Sequence, residues 1–221
     1  MKLGRSTLVA ALAAMVFAGL SGAAQAGICI TEVHPSGSGN STYQADWIEL
    51  TNTGAAAVDI TGWKFDDSSN LFSSAVALRG VTSISPGESV VFAESNASGT
   101  NDAGIMTSFV NAWFNGSAPS GFNLGFYGGS GVGLSTTSDA VNVFDAGGLS
   151  ITGVTFGAST TGISFDNQAC LTGAISTLSA VGVNGAFNSV TGGEIGSPGV
   201  TPEPTTLGLL SLGVFALIRR R

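Results

Sequence analysis

Three carboxylates, Glu32, Asp46 and Glu49, are the residues best placed by type and spacing to do chemistry in this chain. Two carboxyl groups a few ångström apart can hydrolyse a glycosidic bond. The same groups can bind Ca²⁺, or simply accept hydrogen bonds from backbone amides, which is the ordinary use of a buried acid. Glu32 shares strand parity with Ile28 and Ile30, so simple alternation turns this acid toward an apolar face. Such a local inconsistency is where function is worth looking for. Asp66-Asp67 with Asn70 is a second place where Ca²⁺ could sit, although it lacks the EF-hand spacing and reads first as a solvated turn.

Other chemistry has little to stand on. The single histidine, His34, precedes Pro35 at a strand end and reads as a loop residue. A Ser-His-Asp set would have to use it. The sequence has no Gly-x-Ser-x-Gly elbow and no HExxH stretch, and Lys64 sits in no phosphate-loop pattern. Asn40, Asn96 and Asn115 begin Asn-x-Ser/Thr sequons, which turn chemistry explains equally well.

The two ends carry addresses. Lys2 and Arg5 precede an apolar run from Leu8 to Leu20, and Ala24-Gln25-Ala26 is a small-x-small site. This is the pattern of a secretory signal peptide over 1–26, with cleavage expected between Ala26 and Gly27. At the other end, Pro202-Glu203-Pro204 is followed by an apolar segment, 205–218, and then Arg219, Arg220 and Arg221. Fourteen helical residues reach about 21 Å, short of the ~30 Å hydrocarbon core, though snorkelling arginines and local thinning allow a span. The arginines would stay on the cytoplasmic side.

This end resembles the PEP-CTERM sorting signal of Gram-negative bacteria over 200–221. The resemblance implies that an exosortase, a membrane protease-transpeptidase, recognises and removes the segment. It implies transient residence in the inner membrane, then the cell surface, outer envelope or extracellular matrix.

Between the signals the charge is lopsided. Five of the seven Lys and Arg lie in the end segments, leaving Lys64 and Arg79, whereas only Glu203 of the fourteen acids lies there. The body therefore has two bases against thirteen acids, a formal charge of −11. Nucleic-acid binding needs clustered Lys and Arg and is excluded, as is binding to anionic lipid. Solubility of an exported protein accounts for the acids, and the charge leaves cations, neutral glycans or basic partners open, among them envelope glycans or other matrix proteins. Cys29 and Cys170 are the only cysteines, and an oxidising compartment favours a bridge between them, worth up to ~5 kcal/mol. One histidine far from two cysteines is not a zinc spacing.

Stepping along 27–199, short apolar runs alternate with turn clusters such as Pro35-Ser36-Gly37, Asn52-Thr53-Gly54, Pro86-Gly87 and Gly147-Gly148. Strands are expected at 28–33, 47–52, 57–60, 63–66, 75–78, 89–93, 140–144, 151–156 and 175–183, antiparallel and packed as a sandwich. Ile105, Met106, Phe109, Val110, Trp113 and Phe114 repeat at helical spacing, with Asn101 or Asp102 to start the helix and Asn115-Gly116 to end it. Its stripe is expected to cover one end of the sandwich. Residues 117–133, rich in Gly and Ser, read as an irregular loop.

The segments Ile30-Thr31-Glu32-Val33, Asp46-Trp47-Ile48-Glu49-Leu50-Thr51-Asn52, Val58 to Phe65 and Ile84-Ser85-Pro86-Gly87-Glu88 resemble a lamin-tail domain. Ser138 to Asp145 fits a later strand, and Glu194-Ile195-Gly196-Ser197-Pro198-Gly199 resembles the closing segment. Residues 95–137 match less well and read as an insertion.

The resemblance implies an all-β, immunoglobulin-like β-sandwich with one short helix, flanked by the signal helix and the short C-terminal apolar helix. It implies that the strands bearing Glu32, Asp46 and Glu49 pair closely. It also implies an interaction or anchoring module, whose motif brings no catalytic residue and no cofactor. The expected function is that of an adhesive or scaffolding envelope or matrix protein. A Ca²⁺-dependent glycan-binding module is the alternative, and a carboxylate-pair hydrolase a more distant one.

Overall fold

Branched and aromatic residues at alternating positions, bounded by Gly, Pro and Asn turns, fit a pleated and half-buried surface. The computed structural model describes residues 27–200, so the expected signal peptide with its Ala26 cleavage site, and residues 201–221 with the sorting motif, lie outside the described residues. In chain order the strands are β1 (Ile28–His34), β2 (Trp47–Asn52), β3 (Val58–Asp59), β4 (Lys64–Asp66), β5 (Val76–Ala77), β6 (Ser83–Ile84) and β7 (Ser89–Ser95). Helix α1 (Asp102–Phe114) follows. Then come β8 (Asn123–Gly128), β9 (Asp139–Phe144), β10 (Ser150–Phe156), β11 (Phe165–Asp166), β12 (Gly173–Ile175), β13 (Phe187–Asn188) and β14 (Ile195–Gly196).

Two five-stranded sheets form an immunoglobulin-like sandwich. The first has the order β11-β1-β2-β7-β8 and the second β12-β10-β9-β4-β5. Between them lies an apolar core that includes Ile30, Ile48, Leu50, Val90 and Phe92 from the first sheet and Phe65, Val141, Val143 and Val154 from the second. The sandwich is not wholly antiparallel: β7–β8 and β10–β12 are parallel pairs. Parallel neighbours need a crossover, and α1 supplies it between β7 and β8.

That crossover corrects two expectations. Residues 117–133 are not an irregular loop throughout, because 123–128 form β8, a strand buried at all but its first residue. Glycine here serves close approach: a Cβ on Gly125 would lie 2.6 Å from the Phe92 ring. Nor does α1 cover one end of the sandwich. It lies on the outer face of the first sheet, where Phe109, Ala112 and Trp113 pack with Trp47, Val91, Ala93, Leu124 and Phe126. Both faces of this sheet are consequently buried, and β2 has no exposed residue.

Helix α1 ends at Asn115, in the left-handed conformation that such caps favour. Its start receives no side-chain cap from Asn101. Instead Asp102 accepts from Arg79 at 2.9 and 3.0 Å, and the Arg79 backbone pairs with Phe126 at the edge of β8. The expected strand at 175–183 is reduced to β12 plus a bridge from Phe165 to Leu178. Cys29 on β1 and Cys170 in the turn after β11 form a disulfide, 141 residues apart in sequence. Among the described residues no helix is long and apolar enough to cross a membrane.

Candidate functional site

The outer face of the first sheet holds a cluster of buried ionisable groups, and a bulge puts Glu32 among them. Ile30 pairs with Leu50, but Glu32 pairs with Glu49, leaving Thr31 as an extra residue in β1. A bulge of this kind re-aims side chains. Glu32 therefore does not share a face with Ile28 and Ile30, as strict alternation implied. It points outward beside Glu49, toward α1 and the closing segment that runs from Glu194 to Val200.

The two glutamates hold that segment. Glu32 accepts from the Ser197 backbone N–H at 2.8 and 3.1 Å, from the Ser197 hydroxyl at 2.9 Å, and from the Ser164 hydroxyl. Glu49 accepts from the Gly199 N–H at 2.6 Å, and its other oxygen lies 2.7 Å from the Thr31 hydroxyl. The segment lies flat because Gly196 has no side chain. A Cβ there would sit 2.7 Å from Glu32 Oε1 and 3.2 Å from the Trp113 ring.

Proton counting separates the two acids. Every group around Glu32 donates to it, which suits an ionised carboxylate. From Glu49 a chain of contacts runs through Thr31, Thr51 (2.9 Å) and Ser89 (2.6 Å) to the Val200 carbonyl (3.1 Å). These are four contacts and only three hydroxyl protons, so the chain is complete when Glu49 carries the fourth. Burial, followed by repulsion from Glu32, pushes the Glu49 carboxyl well above the usual carboxylate range. Burial also raises Glu32, to about 7, although the Ser164 and Ser197 hydrogen bonds oppose it. Two adjacent carboxyls in a dry site share one negative charge for the same reason.

A second cluster lies beside the pair. The Tyr43 hydroxyl donates to Glu194 at 2.5 Å and accepts from the Trp47 and Trp113 indoles at 3.1 and 3.4 Å. His34 is not a loop residue: it ends β1, is completely buried and stacks on Trp47 with ring centroids 5.3 Å apart. Neither of its ring nitrogens has a hydrogen-bond partner. Burial lowers its pKa to about 4, so the imidazole is neutral and its 3.6 Å approach to Glu194 is not an ion pair.

Asp46 is elsewhere. Period-two alternation puts it with Ile48 and Leu50, on the opposite face from Glu49. There it accepts from the Ser38 N–H at 2.8 Å and lies near Glu94. Burial, with the Glu94 charge adding to it, raises its carboxyl to about 7. The structure thus unites Glu32 and Glu49 but not Asp46, so these three acids do not form one metal site. Asp66 and Asp67 cap their own turn, accepting from Ser69 and Leu71. Among the described residues no three His, Cys, Asp or Glu side chains gather so as to hold a metal ion.

Tyr43, Ser164 and the Thr31-Thr51-Ser89 hydroxyl chain had no signal in the sequence. The closing segment did, through Glu194 to Gly199, but nothing in those residues says which acids receive it.

The convergent acids of this β-sandwich are buried against its own closing segment. The chain matches the Lamin Tail Domain family over residues 21–158, more than half its length, and belongs to that family. Residues 200–221 match the PEP-CTERM protein-sorting motif. The protein is therefore an exported one that an exosortase recognises at the membrane during sorting, as in Gram-negative bacteria. No curated protein and no solved structure matched the chain. The Lamin Tail Domain match stops at 158, so the closing segment lies beyond it, while Glu32 and Glu49, which hold that segment, lie within it.

Proposed function

We propose that this is a non-enzymatic adhesive or scaffolding protein of the cell surface, outer envelope or extracellular polysaccharide matrix. Its signal peptide is cut after Ala26, residues 27–199 are the sandwich, and an exosortase removes the apolar segment 205–218 with its arginines near Pro202. The observation that supports this reading is the burial of Glu32 and Glu49 beneath Ser197 and Gly199. They are the nearest thing to a hydrolytic carboxylate pair, and a glycan reaches them only if the closing segment leaves. Contact then falls to surfaces: the loop 129–138, and the short edge strands β5 and β12 of the second sheet.

The test is the mass and location of the protein recovered from its native host. A form that begins at Gly27, ends near Pro202 and fractionates with the matrix is expected. A form retaining Arg219 to Arg221 would place it at the inner membrane and overturn the delivery step. Release from the matrix by a calcium chelator would favour the calcium-dependent glycan-binding alternative.

A further inference from the structure

We propose that the groove where the described chain ends is the docking site of the protein's own Pro202-Glu203-Pro204. The groove encloses about 750 Å³ between the loop 85–89, the loop 119–123 and the closing residues Pro198 to Val200. Its apolar wall is built from Phe114, Phe122 and Phe187, with ring centroids 4.8 Å apart for Phe114–Phe122 and 6.1 Å for Phe114–Phe187. Grooves lined by aromatic rings are what extended, proline-containing peptides occupy.

The chain is delivered into this groove in a fixed direction. Val200 lines it, and its carbonyl accepts from the Ser89 hydroxyl at 3.1 Å. Gly199 is tied to Glu49, and the Val200 side chain sits where a Cβ on Gly185 would be 2.5 Å away. The next residues in the sequence include two prolines, Pro202 and Pro204, and a proline ring fixes its own φ.

Four residues beyond Val200 reach at most ~14 Å, so the proline pair stays within range of the groove. Little conformational freedom is lost on docking, and the tether gives an effective concentration of roughly millimolar. Glu88 stands on the groove wall. Glu88 is itself held by the Ser85 N–H and the Asn123 amide.

The consequence for sorting rests on the reading above: a docked motif is held against the sandwich until the exosortase draws it out. The docking itself does not depend on that reading. The experiment uses the full chain in detergent micelles, with the photo-crosslinker p-benzoylphenylalanine in place of Ser120, an exposed residue on the groove rim. The expected result is an intramolecular crosslink to residues 201–206, with a yield independent of protein concentration. In the double variant Pro202→Gly, Pro204→Gly the yield falls several-fold, with the melting temperature unchanged.

Unchanged yield in that variant overturns the proposal. So does a crosslink between chains that grows with concentration, which would make a second copy the occupant. So does a crosslink only to detergent or to residues 207–218, which would make the apolar segment or the bilayer the occupant. If the crosslink forms but the host never removes the tail, docking stands and the sorting reading fails.

Discussion

The two faces of the first sheet are equally buried and are held by different forces. The inner face, with Ile30, Ile48, Leu50, Val90 and Phe92, meets the second sheet through shape and the exclusion of water. The outer face packs Trp47, Val91 and Ala93 on α1, and beside them Thr31, Glu32, Glu49, Thr51 and Ser89 are just as dry but are specified atom by atom through donors and acceptors. Volume decides what the inner face tolerates. Proton placement decides what the outer face tolerates, and it makes that face sensitive to pH. The closing segment, which leads to the sorting motif, is fastened to that outer face through Glu32 and Glu49, and pairs besides with β13 and with residues 162–164.

The largest expected effect is on the inner face. Phe92→Ala should cost about 3–5 kcal/mol, read from urea denaturation, because it removes a fully buried ring and leaves a cavity. A cost below 1 kcal/mol would mean the core between the sheets is not the main support of the fold. On the outer face the isosteric change Glu32→Gln should cost about 1–3 kcal/mol, since an amide nitrogen would face the Ser197 donors. Hydrogen exchange of residues 194–200 should rise with it. If that segment stays as protected as before, Glu32 does not fasten it.

The pH profile comes next. Glu32, Glu49, Asp46, Glu94 and Glu194 all have carboxyls raised by burial. Each binds its proton more tightly in the folded state, so its contribution is complete below about pH 4.5 and is lost as pH rises through its folded value, about 7 for Glu32 and Asp46. His34 acts in the opposite sense between its unfolded value of 6.5 and its folded value of about 4. With five carboxyls against one imidazole, the melting temperature should fall by several degrees between pH 5 and 8. A rise over that range would show that the acids are ionised without cost.

The smallest change expected in stability is for Glu49→Gln. Its amide supplies the proton that Thr31 needs and keeps an oxygen for Gly199, so stability at pH 7 should shift by less than about 1 kcal/mol. The decline with pH should become shallower. A loss as large as that of Glu32→Gln would show that Glu49 is ionised and that the proton count around it is wrong.

Much of the sandwich was legible because it is local. The apolar runs at Ile28, Trp47, Ser89, Ala140 and Ile151 are bounded by turn signals, and the spacing from Ile105 to Phe114 has only one helical reading. Strand β8 was missed because Asn123-Leu124-Gly125-Phe126-Tyr127-Gly128 carries two glycines. They are required by the close approach to Phe92, a fact of packing rather than of propensity. Glu32 was turned to the wrong face because one extra residue, Thr31, reverses parity, and the bulge is defined only by the pairing with β2. Asp46 and Glu49 are three residues apart in sequence, so plain alternation puts them on opposite faces.

By itself the sequence determined the sorting motif, the lopsided charge of the body, the all-β class and the helix. These are read from composition and from neighbours along the chain, and each is complete in the residues that carry it. Tertiary structure decided where the acids go, which of them meet, and that the helix roofs one sheet. It also decided that Ser197 and Gly199 close over two glutamates about 150 residues earlier in the chain. Those outcomes depend on register and on crossover, and on hydrogen bonds between residues that no local pattern connects.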